Sequence, residues 1–238
     1  VYKRQGVIMT RGLRLGALVI GQSPRSDVER ELRAVLGGDI EIDLRGALDG
    51  LSRAEIDRLT PDTDADALFT HLPSGDDVTI SKRAVIKHGE VALSALVEQG
   101  LSTVVVMCTG SFTEWMGKYP VIFPSLVLEG FVRALIGQGP NKLGVFVPLN
   151  EQVEPLGRKW RALGVDVHVE CLTPTSGPNE IDLVADTMRA CEPTLLVYDC
   201  LSYNQATKRR VEARTGVPGV LAVSAAARTA QELLSGGA

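Results

Sequence analysis

The sequence predicts an α/β protein of two pseudo-symmetric halves, each with a mostly parallel sheet, facing one another across a cleft. Three observations carry that expectation. Strand-sized apolar runs alternate with stretches of helical apolar spacing, which is the rhythm of βα units. The opening run LGALVIG at 15–21 has an echo in LGVFVPL at 143–149. The runs TVVVMC at 103–108 and TLLVYDC at 194–200 each end at a cysteine followed by small polar residues. Two copies of unequal length make a diverged duplication rather than a solenoid.

Taken in order, Leu13 to Gly21 reads as a strand and SPRSDVERELRAVLGG as loop and helix, closed by the Gly37–Gly38 pair. DIEIDL at 39–44 alternates as a half-buried strand does. LSRAEIDRL at 51–59 is a short helix opened by Ser52, with Glu55 completing a capping box. ALFTHLPSGDDVTIS at 67–81 is a hairpin turning at Pro73, Ser74 and Gly75, and a long helix from Lys82 to Gln99 feeds the strand ending at Cys108. YPVIFPSLVLEGFVRALIGQG then gives a short strand, a Pro-Ser corner and a helix stopped by glycine. The second half repeats the scheme: strand 143–149, helix NEQVEPLGRKWRALG, strand DVHVECL, a Ser/Gly/Pro loop, helix IDLVADTMRACE and the strand ending at Cys200. VPGVLAVSAAARTAQELL closes the chain as strand and helix able to pack back on the first half. The expected division is therefore 12–118 plus 216–238 as one α/β domain and 119–215 as the other.

Composition bounds the function. The chain has 238 residues, 45% hydrophobic and 23% charged, with a net charge of −4, so it can bury a substantial core. Its 25 Lys and Arg are scattered, which argues against nucleic acid or an anionic membrane as partner, and no apolar run is long enough to span a bilayer. VYKRQGVIMT lacks the apolar region of a signal peptide. Residues 1–8 read as foreign, with the natural start expected at Met9. Four cysteines are too few for a disulfide framework and fit a reducing cytoplasm. His71, His88 and His168 stand singly and no Cys or His pair has zinc-ligand spacing, so no metal is expected.

The chemistry is expected at the two strand-end cysteines. In parallel α/β sheets, ligands gather beyond the carboxyl ends of the strands, and both Cys108 and Cys200 stand on that rim. Two thiols approaching one cleft from opposite sides suit a reaction with a base on one face of a carbon and an acid on the other. The ordinary thiol pKa of about 8.5 is tunable by helix N-termini and neighbouring donors. Thr109, Gly110 and Ser111 in one loop, and Ser202, Tyr203 and Asn204 in the other, are candidates to hold a substrate carboxylate. A cysteine ending a core strand also serves as plain packing, and the matched placement leaves the two readings evenly balanced. Cys171 and Cys191 are expected to pack. Arg25 is a candidate clamp for a second carboxylate, against a solvated loop arginine. Asp199 is expected to raise the pKa of the adjacent Cys200 thiol. Lys208, Arg209 and Arg210 are expected in solvent, and Trp115 and Tyr119 either to wall the cleft or to pack.

GQSPRSDV at 21–28, VPLNEQVEPLGRKW at 147–160 and DCLSYNQ at 199–205 together resemble the AroM family, from about Leu15 to Leu234. That family is similar to the aspartate/glutamate/hydantoin racemase superfamily, whose proline-bearing strand after the first cysteine resembles VIFPS here. The resemblance implies cofactor-independent chemistry at carbon next to a carboxylate: racemisation or epimerisation of a small amino acid or related acid, with malonate decarboxylation or maleate isomerisation as alternatives. It gives Cys108 and Cys200 the acid and base places, Thr109 a carboxylate-binding place and Ser23 that of the polar residue holding substrate in the first-strand loop. It also suggests a homodimer. The superfamily's acidic amino-acid racemases carry Asn-Thr after the first cysteine and Thr-His after the second, whereas this chain has CTG and CLS. A binding protein that kept the cleft and lost the chemistry is the rival of another class.

Overall fold

The computed structural model describes residues 13–136 and 142–235; the expectation about residues 1–8 lies outside them. The first half runs β1 (Leu13–Val19), α1 (Ser26–Leu36), β2 (Ile40–Gly46), α2 (Arg53–Ile56), β3 (Ala67–His71), β4 (Asp77–Ser81), α3 (Lys82–Glu98), β5 (Val104–Met107), β6 (Val121–Ile122) and α4 (Pro124–Leu135). The second runs β7 (Lys142–Val147), α5 (Val153–Arg161), β8 (Asp166–Cys171), α6 (Pro178–Ala190), β9 (Leu195–Tyr198), α7 (Gln205–Thr215), β10 (Gly219–Leu221) and α8 (Ala222–Ser235).

Duplication is explicit in the sheets. One has the order β2-β1-β5-β6 and the other, in matching sense, β8-β7-β9-β10, with every pair parallel. The two Leu-Gly strands, β1 and β7, are therefore equivalent, and so are the two cysteine strands, β5 and β9. Glycine recurs because packed side chains occupy the space a Cβ would need. A Cβ on Gly16 would sit 2.9 Å from a Val104 methyl of β5, and one on Gly144 would press on Met188 of α6 and sit 2.8 Å from Leu196 of β9.

The expected domain boundaries need correction at both ends of the second unit. β6 pairs with β5 through Val104↔Val121 and Val105↔Ile122, so the chain just after residue 119 still belongs to the first sheet. β10 pairs with β9, which places the strand after residue 216 in the second sheet. Strands of two and three residues carry too little periodicity to show which sheet they join. Helix α8 does return to the first half, packing on α1 and α4. Its small buried residues Ala222, Ala225, Ala226, Ala227 and Ala230 allow close approach. One core runs through both halves, joining Leu15 and Val105 to Val145 and Val197 together with α8.

The expected hairpin is present as antiparallel β3 and β4, inserted between α2 and α3 and outside both main sheets. It leans across to the second half. Gln152 donates to the Ala67 carbonyl at 3.5 Å and Thr175 to Asp77 at 3.3 Å. No helix of the described residues is long and apolar enough to cross a membrane.

Candidate active site

Cys108 follows β5 and Cys200 follows β9, each at the carboxyl end of the third strand, in chain order, of its four-stranded sheet. Equivalent positions in two facing halves bring them together. Both line one cavity of about 400 Å³, in the range typical of small-molecule sites. Arg25 of the first-strand loop, Val28 of α1, Leu68, Phe69 and Thr70 of the hairpin, Lys82 of α3, Leu126 of α4 and Leu156 and Lys159 of α5 complete its walls with the two cysteine loops. The loops are tied directly: the Thr109 hydroxyl donates to the Asp199 carbonyl at 3.1 Å.

Both thiols are half-buried and protonated at rest. Burial pushes the Cys108 thiol up to about 12, against the Gly110 N–H, which donates to its Sγ at 3.3 Å; negative charge at Cys200 or Asp199 pushes it further, and Lys82 opposes. Burial likewise pushes Cys200 up to about 11, opposed by the backbone and hydroxyl of Ser202 and by the Arg25 charge, while Asp199 adds to the rise. Cys108 thus lies within electrostatic reach of Cys200. At both thiols burial outweighs the donors that oppose it, and it does so less at Cys200.

Asp199 is fully buried and held by its Oδ2, which accepts from Lys159 at 3.0 Å and from the Trp160 indole at 2.8 Å. This three-residue lock fixes the backbone that carries Cys200. Sequence gave no signal for it, because Lys159 and Asp199 lie 40 residues apart. Nothing in the sequence marks Lys82 either, although it opens a helix capped by Ser81, whose hydroxyl accepts from Ala84 N–H at 3.4 Å.

Of the other expected site residues, Thr109, Gly110, Ser111 and Ser202 line the cavity with the cysteines. Three expectations are corrected. Ser23 turns away, its backbone N–H and hydroxyl each donating to Asp49 at 2.7 Å. Tyr203 is wholly buried and donates to the Leu172 carbonyl at 2.6 Å, which makes it a core residue beneath the loop. Asn204 caps α7, its side chain accepting from Thr207 N–H at 2.9 Å, and faces a neighbouring cavity of about 390 Å³ on the far side of Arg25.

Arg25 lines both cavities but is committed elsewhere. It is buried, grips Asp27 through Nε at 2.8 Å and Nη2 at 2.7 Å, and donates through Nη1 to the His71 carbonyl at 3.0 Å. A clamp for a substrate carboxylate would need those donors free, so it acts as a brace between first-strand loop and hairpin. Trp115 and Tyr119 pack: Trp115 is buried, stacked on Phe112 at 4.6 Å, and the Tyr119 hydroxyl meets Ser94 at 3.1 Å. Cys171 and Cys191 are half-buried, on the end of β8 and at the end of α6. On α7, Lys208 is half-buried beside Glu212 at 3.3 Å, while Arg209 is exposed and Arg210 is exposed and paired with Asp182 at 2.6 Å.

Among solved structures, arylmalonate decarboxylase is similar at 16% identity and a TM-score of 0.62, covering 94% of each chain. The maleate isomerase of Pseudomonas putida S16 is similar at 16% identity and a TM-score of 0.61, over 94% of this chain and 93% of that one. Glutamate racemase from Francisella tularensis, solved with D-glutamate, is similar at 14% identity and a TM-score of 0.58, over 94% of this chain and 82% of that one. These likenesses establish the shared two-half α/β fold. No curated protein matches the sequence. The sequence does match, over residues 15–234, the family described as AroM protein, and the chain belongs to that AroM family.

Proposed function

We propose that this protein is a cofactor-independent racemase or epimerase acting at carbon next to a carboxylate, with Cys108 and Cys200 exchanging protons on opposite faces. The observation that carries the reading is the lining of one cavity by two thiols from equivalent loops of duplicated halves. Cys200, favoured by Ser202 and Arg25, is the better thiolate and takes the proton in one direction; Cys108 delivers one from the other side. The Ser111 hydroxyl and the Lys82 ammonium border the same space and would stabilise the enolate-like charge that develops. The solved relatives named as racemases, a decarboxylase and a maleate isomerase support this class of chemistry.

One observation favours a second reading. Both thiols are protonated at rest, which suits a decarboxylase, where a single thiol need only protonate the carbanion left by CO2. The test is incubation of single enantiomers of amino, hydroxy and branched carboxylic acids, and of substituted malonates, in deuterated water, followed by chiral separation and NMR. Racemisation with deuterium at the α-carbon is expected. Irreversible loss of a malonate with CO2 release would replace the first reading with the second, and tight binding with neither outcome would leave a binding protein.

A further inference from the structure

The cations lining the cavity are each held by a carboxylate, with one exception. Arg25 is held by Asp27, and Lys159 by Asp199. Glu129 faces Arg133 at 2.9 Å. Lys82, half-buried at the start of α3, belongs to no ion pair among the described residues, yet its charge reaches Cys108. Of the cations lining the cavity, Lys82 is therefore the one whose charge is available to a ligand. A second anionic group on the ligand would meet Asp64, Glu129 or Asp199, none of which welcomes it.

Beyond the hydroxyl-bearing cysteine loops, with Thr70, Ser125 and Gln152, the walls are largely apolar. Ile20, Leu68, Phe69, Met107, Leu126 and Leu156 surround a volume of about 400 Å³, far more than a carboxylate and its α-carbon require. Burying an apolar substituent there is favourable by about 25 cal/mol per Å², whereas a charged side chain would be desolvated without a partner.

We infer that the ligand is a monocarboxylate carrying a bulky apolar group, ring-sized or branched, on its reacting carbon, with the carboxylate paired to Lys82 and the apolar group against the hairpin and α4. This rests on the proposed active site for its location, but not on the reaction performed there.

Calorimetric titration of the whole protein with phenylacetate, acetate, succinate and phenylacetamide tests it. Phenylacetate is expected to bind about tenfold or more tightly than acetate or succinate. Lys82→Met should weaken phenylacetate by about tenfold or more while leaving phenylacetamide, which has the ring and no charge, unaffected. Lys82→Arg should restore most of the loss. Succinate or acetate binding as well as phenylacetate, no binding of phenylacetate, or indifference of phenylacetate to Lys82→Met would each overturn the inference. The Cys108→Ser, Cys200→Ser double variant separates the two claims: selective, Lys82-dependent binding that persists in it, with no isotope exchange by the native protein, would retain the ligand class and sink the catalytic reading.

Discussion

Asp199 shows how one buried carboxylate can serve both position and reactivity. Its side chain is fixed by Lys159 and Trp160, and its charge raises both active-site thiols. Replacing Asp199 by Asn removes the charge with little change of shape, so both thiols should ionise at lower pH. Titration of thiolate ultraviolet absorbance, with each single cysteine-to-serine variant as control, is expected to show that shift; an unchanged curve would contradict the assignment. Asp199→Ala removes the acceptor itself, strands the Trp160 N–H and should cost about 1–3 kcal/mol of stability, read by denaturant unfolding. The pH dependence of the reaction follows from the same thiols. With Cys200 raised to about 11, its thiolate is a minority species in the free protein near neutrality. For thiolate chemistry, kcat/KM should therefore rise about tenfold per pH unit between about pH 7 and about pH 9. A flat profile there would point to the thiol form, and so to decarboxylation. The two cysteines and their small polar followers were legible in sequence because each sits in a repeated strand-end pattern. The commitment of Arg25 is not legible in sequence, because its partner Asp27 lies only two residues on, in the first turn of α1, where no periodicity reveals which donors are already taken.

At the scale of elements, the strands and helices followed from apolar spacing wherever they exceeded about four residues. The capping box of Ser52 and Glu55 is present, opening the four-residue helix α2. The hairpin was also legible, but its role was not: only the fold shows that Leu68, Phe69 and Thr70 close the pocket. The turn leaving β2 is tightly built against the loop that carries Arg25. A Cβ on Gly46 would lie 2.6 Å from both the Gly21 carbonyl and the Ser23 amide nitrogen, backbone atoms with little room to yield. Gly46→Ala should destabilise the protein by about 1–3 kcal/mol and weaken ligand binding as the Arg25 loop shifts. Thermal unfolding and titration check both. A variant as stable as the parent would show that this contact does not constrain the loop.

In the whole molecule, duplication is what makes the site. Sheets of matching order place the ends of β5 and β9 in one cleft, and α8, after completing the second half, packs on α1 and α4 of the first. Thr109 reaching Asp199, and Arg25 reaching Ser202 at 3.5 Å, cross the cleft itself. The repeat of the Leu-Gly strands disclosed this plan in the sequence, whereas the exchange of the very short strands β6 and β10 between expected domains did not show, since sheet membership depends on contacts far along the chain. The central claim is that the two sulfurs work on opposite faces of one carbon. Its most direct test follows each enantiomer of a turned-over substrate separately by NMR in deuterated water, using Cys108→Ser and Cys200→Ser. Each variant should lose inversion by about a hundredfold or more and retain slow deuterium exchange from one enantiomer only, the opposite one in each case. Exchange of the same enantiomer by both variants, or inversion surviving in either, would contradict it.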